Sequence, residues 1–180
     1  MKTQQKITIV GGGLAGSLLA IYLARHGLEV EVFERRPDMR AVDISAGRSI
    51  NMALSTRGIF ALREVDVLDE IMQQAIAMPG RMIHAIDGEL SFLPYGKDAS
   101  EVIYSISRAG RNMALLTAAE RYGVKIHFNR QCTGFDVRTG EIELLDTTRQ
   151  TKTTVASSVV IGTDGSASAI RTAMLARPRF

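Results

Sequence analysis

Three glycines near the amino terminus have the spacing of a dinucleotide-binding turn. The segment GGGLAG at 11–16 follows the apolar run Ile7–Val10 and precedes an apolar helix pattern. Gly11 permits the tight turn, Gly13 lets a pyrophosphate approach the backbone, and Gly16 lets the helix pack on the strand. The helix N-terminus then offers free N–H groups and a positive dipole end to phosphates. We predict a dinucleotide site here, against the alternative of a plain glycine-rich turn in an α/β protein.

An acidic residue ends the second predicted strand. Glu34 follows Val32-Phe33 and stands 18 residues after Gly16. A spacing of about 20 residues is typical of an acid that accepts a hydrogen bond from a ribose hydroxyl. Together the strand, turn, helix, strand and acid predict a complete βαβ unit for a dinucleotide.

Two further positions have open interpretations. Asp164 lies between a buried strand and a helix, so it could accept hydrogen bonds from a loop or a ribose, or cap the helix. Arg108 begins a helix beside Ser107, where its charge opposes the helix dipole. A phosphate contact would explain that placement, and so would an ordinary exposed arginine.

A carboxylate-binding pair is a third candidate. Arg81 and Tyr95 flank a predicted hairpin. Arginine offers a bidentate fork to a carboxylate, and tyrosine offers a hydroxyl and an aromatic wall. The sequence alone does not show that the two side chains lie close together.

Arg48 and Asn51, in the run GRSINMALS at 47–55, could face an anion or the edge of a flavin.

The elements that would position these residues alternate between strands and helices. The pattern predicts an α/β, Rossmann-like domain over 1–78 and 97–180, with an inserted antiparallel β-meander at about 132–157. Residues 79–96 read as the first hairpin, with a turn at Asp87-Gly88, of an incomplete substrate domain. Helices are predicted at 56–65, capped by Ser55, and at 67–76.

Composition excludes several classes of protein. The chain has 180 residues, a net charge of +3 and one cysteine, Cys132. A single cysteine excludes a disulfide framework, and no Cys/His cluster suggests a metal. The basic residues are scattered, which argues against nucleic acid, and no apolar run is long enough to span a membrane. The polar start is too short for a signal peptide, so we expect a cytoplasmic protein.

Several longer motifs resemble one enzyme family. From Ile7 to Phe180 the chain is similar to the kynurenine 3-monooxygenases, within the single-component flavin aromatic hydroxylases. GRSIN, RMIH at 81–84 with PYG at 94–96, and LLTAAE at 115–120 are more specific than the glycine pattern. They accompany GGGLAG, FER at 33–35, SR at 107–108 and TDG at 163–165. The resemblance implies a FAD-binding domain of the GR2/PHBH type and the start of a substrate-domain β-sheet.

The same resemblance implies a set of binding residues for non-covalent FAD. Ala15 would lie on the pyrophosphate turn, Ala53 near the flavin, and Arg108 on the phosphates. Cys132 stands where the family usually has an aliphatic residue near the adenine. Arg81 and Tyr95 match the pair that holds the substrate carboxylate. The predicted cofactor residues are Gly11, Gly13, Ala15, Gly16, Phe33, Glu34, Arg35, Arg36, Arg48, Ala53, Arg108, Cys132, Asp164 and Ala169.

The implied reaction is hydroxylation of L-kynurenine to 3-hydroxykynurenine with dioxygen and with NADPH as a transient reductant, a step of tryptophan degradation and NAD biosynthesis. We name no catalytic acid or base, because the flavin carries the redox chemistry. Two alternatives stay open: a related flavin hydroxylase with another aromatic substrate, and a non-catalytic FAD- or nucleotide-binding fragment.

The chain departs from the family in length. Family members are more than twice as long, and their later Gly-Asp segment, most of the substrate sheet and the C-terminal helices are missing here. We therefore expect an N-terminal portion that binds FAD weakly and does not turn over alone. The sequence does not predict its oligomeric state.

Overall fold

The structure is a computed structural model that describes residues 6–42, 51–98 and 100–177. The chain forms two compact units, one of Met1–Ala46 with Asn112–Phe180 and one of Gly47–Arg111. In chain order the elements are β1 (Lys6–Val10), α1 (Leu14–Arg25), β2 (Glu29–Phe33), β3 (Asn51–Leu54), α2 (Thr56–Glu64), α3 (Leu68–Met72), β4 (Ile76–Met78), β5 (Gly80–His84), β6 (Leu90–Pro94), β7 (Ile103–Ser107), α4 (Arg108–Arg121), β8 (Lys125–His127), β9 (Arg130–Asp136), β10 (Glu141–Asp146), β11 (Lys152–Ala156), β12 (Val159–Gly162) and α5 (Ala169–Leu175).

A parallel sheet forms the centre of the first unit. Its strand order is β12-β1-β2-β8, and each neighbouring pair runs parallel. Helix α1 joins β1 to β2, so the predicted βαβ unit is present. Ile9 of β1 and Ile21 of α1 are fully buried, and the burial of such apolar side chains stabilises this packing. The carboxyl ends of β1, β2 and β12 therefore lie side by side, the edge at which parallel sheets bind ligands.

The predicted β-meander covers one part of this sheet. Strands β9, β10 and β11 form an antiparallel sheet in the order β11-β10-β9. Ile142 and Leu144 of β10 pack in one buried cluster with Val10, Phe33 and Ile170. The cluster joins the ends of β1 and β2 to the meander and to α5. The meander thus supports the strand ends from which the glycine turn and Glu34 emerge.

The second unit differs from the sequence prediction at two places. The helix predicted for 67–76 ends at Met72, and Ile76–Met78 forms β4, which pairs with Ile103–Ser105 of β7. Asn51–Leu54 adds β3 to the other edge of β7. In both places backbone pairing with a strand far along the chain outweighs local preference. The predicted hairpin is present as β5 and β6, with Gly88 at φ +90 in its turn.

Local sequence signals mark the end of α1 and the start of α2. Gly27, at φ +79, follows α1, because a left-handed residue is the usual end of a helix. Ser55 precedes α2 as predicted, although its side chain makes no capping hydrogen bond. Within residues 6–42, 51–98 and 100–177, no helix is both long and apolar enough to cross a membrane.

We predict that Ile142→Ala lowers the free energy of unfolding by about 2–5 kcal/mol, the usual cost of an isoleucine-sized cavity. Ile142 has no exposed surface and lies in the cluster that joins the meander to the parallel sheet. Urea denaturation followed by circular dichroism measures the change. Thr153→Ala, at an exposed position of β11 in the same meander, should cost far less, and equal losses in both variants would contradict this account of the core.

Candidate functional site

The glycine turn packs directly against the end of β12. Gly11 has φ +106, and a Cβ there would lie 2.6 Å from the carbonyl oxygen of Thr163. Its N–H donates to the carbonyl of Phe33 at 2.8 Å. Only glycine satisfies both the left-handed backbone and the contact with Thr163. Gly11 is therefore required by the turn, as predicted.

The surroundings of Gly16 are crowded, whereas those of Gly13 are open. A Cβ on Gly16 would lie 2.0 Å from the carbonyl oxygen of Gly11, so α1 packs on the turn only with glycine there. At Gly13, which precedes α1, no other part of the described chain comes within 4 Å of a Cβ position. Ala15 is the second residue of α1. The space beside Gly13 is what a pyrophosphate at a helix N-terminus needs.

Four side chains, from different parts of the first unit, hold the peptide groups on either side of Gly12. The N–H of Gly12 donates to Oε2 of Glu34 at 2.7 Å. Its carbonyl accepts from Oγ of Ser17 and from Nδ2 of Asn112, both at 3.2 Å. Oγ1 of Thr163 lies 2.7 Å from the carbonyl oxygen of Gly11 and 2.9 Å from that of Val10. The turn is thus held by hydrogen bonds that do not involve any ligand.

Glu34 is a buried carboxylate with a cationic neighbour. Its exposed fraction is only 5%. Oε1 accepts from the N–H and the Nε of Arg36 at 2.9 and 2.8 Å. Burial alone would raise the pKa of Glu34, but the hydrogen bonds and charge of Arg36, with the Gly12 N–H, hold that pKa below its ordinary value of 4.5. Glu34 is therefore ionised at neutral pH and acts as an acceptor.

Asp164 uses one carboxylate oxygen at the start of α5 and leaves the other unpaired. Its Oδ2 accepts from the N–H of Ala169 at 2.7 Å, so it helps to begin α5. Its Oδ1 is buried and has no hydrogen-bond partner in the described part of the chain. A buried acceptor without a donor costs stability, and a ligand hydroxyl or N–H would relieve that cost. Ser168 is the N-cap residue, because its Oγ accepts from Arg171 N at 2.9 Å.

The residues predicted around the adenosine lie at the end of β2 and within β9. Phe33 stacks on His127, with ring centroids 4.8 Å apart, and Arg35 beside it is exposed. Cys132 in β9 is half-buried, and burial raises the pKa of its thiol to about 11. At neutral pH Cys132 is therefore a neutral, weakly polar residue.

The second unit contains the remaining predicted residues. Arg81 pairs with Leu93, and the Tyr95 N–H donates to the Pro79 carbonyl at 2.9 Å, which extends the ladder. Arg81 and Tyr95 are therefore diagonal neighbours on one face of the hairpin, about 7–8 Å apart by backbone spacing. Both side chains are exposed.

Two of the three cofactor residues predicted in this unit are described by the structure. Ala53 is exposed in β3, and Arg108 is the exposed first residue of α4. The Ser107 side chain accepts from Gly110 N at 3.3 Å and so caps this helix. Arg48 lies outside the described residues.

Comparison with known proteins decides the family. Residues 4–177 match the model of an FAD binding domain. The chain belongs to this FAD-binding family. FAD is accordingly the cofactor, and the predicted PHBH-type fold is confirmed.

The curated relatives confirm the resemblance seen in the motifs. A kynurenine 3-monooxygenase of Myxococcus xanthus is 51% identical over 97% of this chain and 38% of its own length. One of Anopheles gambiae is 39% identical over 97% of this chain and 36% of its own length. The chain thus spans less than two fifths of these relatives.

A solved structure supports the fold. A flavin-dependent monooxygenase crystallised with FAD and substrate superposes with a TM-score of 0.80, covering 96% of this chain and 32% of its own. Its sequence identity is 18%, so the likeness concerns the fold alone.

The geometry of the first unit fits FAD. The open space at Gly13 suits the pyrophosphate, ionised Glu34 suits a ribose, and Asp164 keeps one buried acceptor without a donor. Sequence reasoning missed Ser17, Asn112 and Thr163, which hold the turn. Thr163 belongs to the TDG motif and could have been found there, whereas Asn112 is 100 positions from Gly12 and has no local signal.

We predict that alanine at two positions of the glycine turn separates folding from binding. Gly16→Ala should lower the melting temperature, because the new Cβ meets the Gly11 carbonyl. Gly13→Ala should leave the melting temperature of the FAD-free protein near that of the wild type and weaken FAD binding by about tenfold or more. Thermal denaturation and FAD fluorescence titration measure the two effects. Unchanged FAD affinity in Gly13→Ala would contradict the assigned pyrophosphate position.

We predict that the stability contributed by Glu34 depends on pH. Its pKa is lower in the folded state, so the carboxylate stabilises the fold above the unfolded pKa, and this contribution is lost as the pH falls through the folded value. Wild type should therefore be more stable than Glu34→Gln at pH 7, and the difference should shrink as the pH is lowered below 4.5. Thermal denaturation across an acid series tests this, with exposed Glu141→Gln as the control. A difference that grows on acidification would refute it.

Proposed function

We propose that this chain is the FAD-binding part of a monooxygenase that hydroxylates L-kynurenine to 3-hydroxykynurenine with NADPH and dioxygen. The observation that carries the proposal is the placement of Arg81 and Tyr95 on one face of the hairpin. Kynurenine carries an amino-acid carboxylate, and an arginine beside a tyrosine is suited to hold it. The name of the relatives supports the same substrate.

The work of the chain in this reaction would be binding and orientation. Bound FAD would supply the redox chemistry by passing electrons from NADPH to dioxygen. The glycine turn and α1 would hold its pyrophosphate, and Glu34 would accept from the ribose. Phe33, Arg35, Arg36 and Cys132 would surround the adenosine. Asp164 and Ala169 would line the cofactor at the end of β12, and Ala53, Arg48 and Arg108 would contact the flavin and phosphates.

The substrate pair would act through orientation. The Arg81 guanidinium would bind the carboxylate in a fork, and the Tyr95 hydroxyl would add a hydrogen bond. Fixing the amino-acid end of the substrate would also fix the position of its aromatic ring. Orientation of this kind lowers the barrier of the reaction without any nucleophilic side chain.

We also propose a cytoplasmic location, since a reducing compartment suits a chain with one free cysteine.

The test is to express the complete reading frame that encodes this chain and to measure NADPH oxidation with L-kynurenine and with a panel of phenols. Oxidation and hydroxykynurenine formation with kynurenine are expected. Turnover of a phenol alone would favour a related flavin hydroxylase with another aromatic substrate. FAD binding without turnover of any aromatic compound would favour a non-catalytic nucleotide-binding protein. We expect the 180 residues alone to bind FAD weakly and to form no hydroxykynurenine.

We predict that Arg81→Leu in that active protein lowers kcat/KM for kynurenine by about 100-fold, because a charged hydrogen-bonding partner of the carboxylate is lost. Tyr95→Phe, which removes a single hydroxyl, should cost about tenfold. Steady-state kinetics measure both, and Arg63→Leu in α2 is a matched arginine control. If Arg81→Leu behaved like this control, Arg81 would have no role in binding kynurenine.

A further inference from the structure

We infer that Asn112 is a positioning residue, which sets the direction in which the backbone N–H of Gly13 points toward the cofactor phosphates. The inference rests on the proposed use of FAD and concerns a residue that lies outside the recognised motifs. It depends on four features of the first unit: the hydrogen bonds of Gly12, the burial of Asn112, its unpaired oxygen, and the free face of Gly13.

The carbonyl of Gly12 is held by two donors. Nδ2 of Asn112 and Oγ of Ser17 both lie 3.2 Å from its oxygen. Because a trans peptide directs its C=O and N–H to opposite sides, fixing this carbonyl directs the Gly13 N–H to the other side. That N–H makes no hydrogen bond within the described chain, and the space beside Gly13 is open.

The side chain of Asn112 is held in one orientation. It is only 4% exposed, and Nδ2 lies between two acceptors, the Gly12 carbonyl and Sδ of Met39 at 3.3 Å. Reversing the amide would place its oxygen against both acceptors, so the nitrogen must face Gly12.

The asparagine at position 112 lowers the stability of the folded state. Oδ1 of Asn112 is buried and has no hydrogen-bond partner in the described part of the chain. A buried amide oxygen without a donor destabilises the folded state, and the Gly12 carbonyl already has Ser17 as a donor. A leucine of similar size would avoid the unpaired oxygen. Folding alone therefore does not favour asparagine at position 112. Its effect on the direction of the Gly12–Gly13 peptide explains why asparagine is present there.

The test separates folding from binding. In Asn112→Leu the melting temperature of the FAD-free protein should be equal to or above that of wild type, and the FAD dissociation constant should rise about tenfold. Asn112→Asp should bind FAD more weakly still, because a carboxylate cannot donate to the Gly12 carbonyl and adds negative charge near the phosphates. Thr117→Ala, an exposed position on the same helix, is the control.

A direct readout is the Gly13 amide resonance in 15N-labelled protein. It should move when FAD is added to the wild type and move much less in Asn112→Leu. Unchanged FAD affinity in Asn112→Leu would overturn the inference, and so would a loss of affinity accompanied by a matching loss of thermal stability, which indicates a structural role. Wild type that binds FAD but does not hydroxylate kynurenine would refute the proposed substrate and leave this inference standing. Wild type that does not bind FAD would overturn both.

Discussion

The close approach of helix α1 to the ends of β1 and β12 is the constraint on which the first unit depends. No side chain fits between Gly16 and the Gly11 carbonyl, or between Gly11 and Thr163. This contact brings the N-terminus of α1 over the strand ends, where its free N–H groups and dipole favour a phosphate. The buried cluster that contains Val10, Phe33 and Ile142 packs at the ends of β1 and β2.

Glu34 links the glycine turn to the proposed ribose site. Its carboxylate holds the Gly12 N–H and the Arg36 side chain, so it stabilises the turn before any ribose is present. Three short hydrogen bonds and one long hydrogen bond of 3.4 Å, from Nη2 of Arg36 to Oε2, occupy the roughly four lone-pair sites of the carboxylate, so a hydroxyl would bind by replacing the long one. The same group thus shapes the glycine turn and, in the proposed function, would accept from the adenosine ribose. Ionisation of Glu34 serves both tasks, because only the charged carboxylate accepts hydrogen bonds at every lone-pair site.

Local chemistry explains which features were predictable from sequence. Gly11, Gly16 and Glu34 were found because each task demands one residue type at a fixed spacing. The hairpin and the meander were found because their turn residues and alternation are local. Strand β4 was missed because Ile76–Met78 becomes a strand only by pairing with β7. Asn112 was missed because its partner, Gly12, is distant along the chain. The roles of Arg81 and Tyr95 rest on family resemblance, although the hairpin register puts both on one face.

The measurement that tests the central claim most directly is an equilibrium titration of the 180-residue chain with FAD, followed by flavin fluorescence anisotropy, beside a parallel titration with NAD. The glycine turn, ionised Glu34 and the unpaired acceptor of Asp164 predict saturable binding of one FAD per chain and much weaker binding of NAD. Saturable binding of NAD with no saturable binding of FAD would contradict the assignment of this site.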